Sequence, residues 1–78
     1  MFKVINLNVG VDRLDTATIN TIEDLLDKDG IYYDNDGSDK LTYNINIGLT
    51  GDDIVKEDMY IEKITNLGVY IETERFGF

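Results

Sequence analysis

From Leu41 to Leu49 the chain reads Leu-Thr-Tyr-Asn-Ile-Asn-Ile-Gly-Leu, with large apolar side chains on every odd position and small or polar ones on every even position. Successive side chains of a strand point to opposite faces, so the run fits a strand with one buried and one wet face; a helix would return its buried stripe roughly every 3.6 residues. Ile5-Asn6-Leu7-Asn8-Val9 repeats the pattern. Two such strands demand a sheet with one face covered and the other in water.

The cover is legible between them. Ile19, Ile22, Leu25 and Leu26 recur at three- and four-residue steps and form one face of a helix. Asp15 or Thr16 suits the cap before it, and Gly30 suits the left-handed position after it. Ile31-Tyr32-Tyr33 then reads as a short strand that runs into a hairpin loop, Asp34-Asn35-Asp36-Gly37-Ser38-Asp39.

The last third admits two readings. In the first, Asp52 or Asp53 caps a helix running to about Asn66, Leu67-Gly68 forms the exit, and Val69 to Phe76 is a final strand. Ile54, Ile61, Ile64 and Leu67 then share a face, with Glu57 inside that stripe. In the second, Met59 to Thr65 is a strand paired with Val69 to Phe76 through a turn. Lys63 followed by Ile64 breaks strand alternation, and Glu, Lys and Met favour helix, so the first reading is preferred. Strand, helix, strand, strand, helix, strand is the ferredoxin-like βαββαβ order: an α+β domain with one antiparallel sheet, the first and third strands central, and two helices on one face. The alternative is an antiparallel sheet with one helix and a C-terminal hairpin. At 78 residues the chain is expected to be one domain, 1–78.

Composition narrows the chemistry. The chain has no Cys, His, Pro or Trp, which removes thiol and imidazole nucleophiles and the usual transition-metal ligands. No glycine-rich phosphate loop is present, and Ser38 is the one serine, so the expectation is a non-enzyme. Asp34 to Asp39 superficially resembles a calcium loop. With Asp34 first, however, Asp39 stands where glycine is required and Ile45 where glutamate is required. No metal and no cofactor are expected. Apolar runs of three residues or fewer, and an alternating N-terminus without a signal peptide's apolar stretch, indicate a cytoplasmic chain that neither enters nor spans a membrane.

Seven basic against 16 acidic residues give a net charge of −9, which argues against direct nucleic-acid binding. From Glu23 to Asp39 there are seven acids and one lysine. Asp12, Asp15, Asp34, Asp36 and Asp39 are expected at one end of the domain, and Asp27, Asp29, Asp52 and Asp53 at the other. The wet sheet face should carry Asn6, Asn8, Thr42, Asn44 and Asn46 with Tyr70, Glu72 and Glu74. Such a face is too acidic for the base stacking and phosphate neutralisation of RNA-binding sheets.

Size and composition are similar to those of small acidic inhibitors such as anti-CRISPR, anti-restriction and other DNA-mimic proteins, with no shared motif. The expected function is therefore a non-enzymatic protein ligand that blocks the basic nucleic-acid-binding surface of a target protein. Asp34, Asp36 and Asp39 at the hairpin and Glu23, Asp24 and Asp27 on the first helix would carry the contact. The alternative is a self-associating regulatory or scaffold domain of ACT-like topology that binds a small ligand near Val9-Gly10-Val11-Asp12. Light scattering separates the two, because the ligand reading expects a monomer and the scaffold reading a homodimer. The tail Arg75-Phe76-Gly77-Phe78 either closes over the edge of the core or forms an exposed anchor.

Overall fold

The two alternating segments become the two longest strands, β1 (Val4–Asp12) and β3 (Thr42–Thr50), paired antiparallel from Val4 opposite Thr50 to Asp12 opposite Thr42. The computed structural model describes residues 3–35 and 37–78. Around the central pair stand α1 (Thr16–Asp29), β2 (Tyr32–Asp34), a 3-10 segment (Gly51–Lys56), α2 (Glu57–Thr65) and β4 (Tyr70–Phe76). The result is a small α+β domain with a four-stranded antiparallel sheet in the order β2-β3-β1-β4 and two helices. The final segment is thus a helix and a strand rather than a hairpin.

The odd-numbered side chains of β1 and β3 build the sheet side of the core. Ile5, Leu7, Val9 and Val11 of β1 and Ile45, Ile47 and Leu49 of β3 join Ile19, Ile22 and Leu26 of α1 and Tyr60 and Ile64 of α2 in one buried cluster. Each fully buried Leu or Ile contributes roughly 1.5–3 kcal/mol before the entropy of ordering it is subtracted. Both helices therefore lie against the face presented by the odd positions, and the even positions are left outside.

Local chemistry fixes the ends of α1. The Asp15 carboxylate accepts the Thr18 backbone N–H at 3.2 Å and the Thr18 hydroxyl at 2.7 Å. At the other end Gly30 adopts φ 67°, its N–H bonds the Asp27 carbonyl at 3.1 Å, and the Ile31 N–H bonds the Leu26 carbonyl at 2.9 Å. This is a Schellman ending, with buried Ile31 closing over buried Leu26. Ile31 is consequently part of the helix stop, and β2 begins one residue later than the residue pattern suggests.

The second helix differs from its expected bounds. The 3-10 segment takes up Gly51–Lys56, and the α-helix starts only at Glu57. That start turns Tyr60 and Ile64 into the core, while Leu67, expected on the buried stripe, is 40% exposed. Glu57 is buried in the first turn of α2, and the Arg75 guanidinium of β4 lies 2.7 Å from its Oε2. The contact is an ion pair. The residue that interrupted the apolar stripe is the one that ties α2 to β4.

Among the described residues, no helix is long and apolar enough to cross a membrane.

Candidate functional site

The uncovered sheet face is built by even-numbered residues of every strand. One shallow depression is lined by Val4, Asn6, Tyr32, Asp34, Asn46 and Gly48, among others, and a second by Asn8, Thr42, Asn44, Tyr70, Glu72 and Glu74. All eight residues that alternation assigned to the wet face are on it. Gly48 faces the Tyr32 ring, and a Cβ added there would sit 3.5 Å from Tyr32 Cδ1, in ordinary contact.

Asparagine amides hold carboxylates at both edges of this face. Asn8 Nδ2 donates to Glu74 Oε1 at 3.1 Å, and Asn46 Nδ2 donates to Asp34 Oδ1 at 3.0 Å. Asn44 Nδ2 instead donates to the Gly37 carbonyl at 2.7 Å and braces the β2–β3 hairpin. The centre of the face is therefore a row of amides and its rims are acidic. Tyr32 and Tyr70, 71% and 70% exposed, stand on the two edge strands.

The six acids singled out in the sequence separate into different environments. Asp34 belongs to the open face. Asp39 is used by the backbone: its Oδ1 accepts the Thr42 N–H at 2.7 Å and the Leu41 N–H at 2.8 Å. Those two donors, with the Arg13 charge as a smaller contributor, hold its carboxyl below the usual Asp value. Arg13 Nε also donates to the Asp39 carbonyl at 2.6 Å. Asp36 lies outside the described residues.

Glu23 and Asp27, one turn apart on α1, flank the tyrosines of the β2–β3 side. The Tyr43 hydroxyl donates to Glu23 at 3.1 Å and accepts from Asn35 Nδ2 at 2.7 Å. Burial first, then the Asp27 hydrogen bond and the Asp27 and Glu23 charges, push the Tyr33 hydroxyl above its ordinary pKa. Asp24 is exposed on the same helix. The structure thus joins Glu23 and Asp27 along one flank, sets Asp34 on the opposite side of β2, and gives Asp39 to a turn.

Two features had no clear signal in the sequence, and a third lies in the aromatic tail that the sequence singled out. The buried Tyr60 hydroxyl donates to Asp29 at 2.5 Å, which joins α2 to the end of α1. Leu14 and Leu41 are 89% and 80% exposed at one end of the domain, next to each other through the Arg13 N–H to Leu41 carbonyl bond of 3.0 Å. Leu41 begins the alternating run, but it lies one residue ahead of β3 and so escapes the core. The C-terminal Phe78 ring takes the Lys3 ammonium at 5.2 Å and the Arg75 guanidinium at 5.8 Å from its centroid, and stays 62% exposed.

What this surface can do chemically is bind cations and amide groups through oriented carboxylates and carboxamides. Comparison with protein-family models, with curated proteins and with solved structures finds no match.

Proposed function

We propose that the chain is a non-enzymatic acidic protein ligand, acting in the cytoplasm, that binds and blocks the basic nucleic-acid-binding surface of another protein. The observation that carries this reading is the pair of amide-held carboxylates on the open face, Asp34 gripped by Asn46 and Glu74 by Asn8. Carboxylates already oriented lose less side-chain freedom on meeting a basic surface, and their charge steers the encounter. Glu23, Asp24 and Asp27 form a second negative patch on the helix side, around the β2 edge from Asp34. Asp39, exposed and oriented through its Oδ1 by the Leu41 and Thr42 N–H groups, stays in the contact set with Asp36.

The element order and the strand order β2-β3-β1-β4 support the ferredoxin-like βαββαβ assignment, in which the first and third strands are central and the fourth lies beside the first. No observation favours a ligand site at Val9-Gly10-Val11-Asp12. There Val11 is buried and Asp12 Oδ1 accepts the Leu14 N–H at 2.9 Å, closing a turn.

The test is affinity capture from a cell lysate on the immobilised chain, eluted by rising salt and by added DNA or RNA. A nucleic-acid-binding protein released by both, and captured less well by the D34N/E74Q variant, supports the reading. Capture insensitive to salt, to nucleic acid and to that variant overturns it.

A further inference from the structure

The two edges of the sheet are unequal. β2 has three residues, and the β3 residues on its hairpin side are closed, where Asn44 N–H bonds Ser38 Oγ at 3.0 Å and Asp39 N–H bonds the Thr42 carbonyl at 2.9 Å. Among the described residues β4, seven residues long, takes its ladder from β1 alone, so its outer edge offers a row of backbone donors and acceptors. Along that edge Tyr70, Glu72 and Glu74 point to the open face, and Ile71, Thr73 and Arg75 to the helix side.

The glutamates decide what can pair there. Two copies joined edge to edge about a two-fold axis would run antiparallel, each residue opposite one of the same face. Centred on Thr73, the pairing sets Glu72 against Glu74 of the second copy; centred on Glu72 or on Glu74, it sets that glutamate against its own counterpart. Directly opposed like charges destabilise a strand pair. Each of these registers, which use most of β4, is therefore disfavoured for a second copy. The same two carboxylates, spaced one residue apart on one face, match a strand that carries positive charge at alternate positions.

We propose that the outer edge of β4 is a strand-addition site for an extended basic segment of the partner protein, with Lys or Arg at alternate positions facing Glu72 and Glu74. This rests on the acidic-ligand reading above and assigns it a docking mode. Main-chain bonds to Tyr70–Phe76 supply the affinity, and the alternating charges set the register. Tyr70, on the open face at the start of the strand, gives an incoming side chain an aromatic surface to cover.

The experiment is a titration of the isotopically labelled full chain with a capped peptide alternating Lys with Val and Thr, read by amide NMR shifts and hydrogen exchange at low salt. Controls are the same composition with its lysines in one block, and the alternating peptide N-methylated on alternate amides in either phase. Expected are shifts and slowed exchange confined to β4 and its neighbour β1, loss of binding in one N-methyl phase, and about fivefold weaker binding by the E72Q/E74Q variant. Equal binding by the block peptide, or by both N-methyl phases, overturns strand addition while the acidic-ligand reading stands. Shifts spread over the α1 acids likewise overturn strand addition alone. No binding by any lysine peptide overturns both.

Discussion

Asn8 and Asn46 show how much a single side chain does in this domain. Each sits on a central strand, faces water, and directs its amide to a carboxylate of the neighbouring edge strand. Asp15 and Asp39 do the reverse, accepting backbone N–H groups at a helix start and a turn, and both carboxyls titrate below their ordinary value. A group whose folded pKa is depressed adds stability above its unfolded pKa and loses it as pH falls through the folded one. Both contributions should therefore be present at neutral pH and fade below about pH 4. Thermal melts of D15N and D39N should fall below wild type at pH 7, and the gap should narrow at pH 3. Tyr60 has the opposite sign, because burial and the Asp29 contact raise its pKa. Its contribution is whole below about pH 10, the unfolded value, and is lost as pH climbs beyond it. Tyr60→Phe should cost about 1 kcal/mol at pH 7 in chemical denaturation, and should lose less than wild type does at strongly alkaline pH.

At the scale of elements, α2 and β4 are joined by an ion pair of unequal members. The Glu57 side chain is 11% exposed and that of Arg75 51%. Removing Arg75 strands a buried carboxylate, whereas removing Glu57 leaves a guanidinium that water can reach. Arg75→Ala should therefore cost about 2–3 kcal/mol and Glu57→Gln about 1 kcal/mol, measured by urea unfolding. Equal losses would mean that the burial of Glu57 is not what matters. β4 yields a second test. Glu72→Lys turns the Glu72–Glu74 clash of the Thr73-centred pairing into two attractive pairs. The variant should form a concentration-dependent dimer in light scattering under conditions where wild type does not. The elements themselves were legible to different degrees. β1, β3 and α1 follow from periodicity and capping residues. The start of α2 does not, because a 3-10 segment and a helix share the same local residue preferences, and only packing chose which turn would meet the sheet.

For the molecule as a whole, a charge of −9 on 78 residues means that the folded state compresses like charges. Salt shortens the Debye length from about 30 Å at 0.01 M to about 8 Å at 0.15 M, so that repulsion should be screened. The melting temperature of the wild type should rise over that range, in contrast with proteins held by exposed ion pairs. A flat or falling melting temperature would show that the acids are balanced locally.

Whatever depends on neighbours along the chain could be read from the residues directly. Alternation fixed which faces of β1 and β3 are buried, helical spacing fixed α1, and Asp15 and Gly30 fixed its ends, because each of these is set within a few residues. The uses of the acids came only with the fold. Asp34, Asp39, Glu23 and Glu74 are the same kind of group in the sequence, yet one is held on an open face by Asn46, one closes a turn, one meets a tyrosine hydroxyl and one is held by Asn8. Their donors come from 2 to 66 residues away, and a carboxylate's role is set by whichever donor the fold brings within reach.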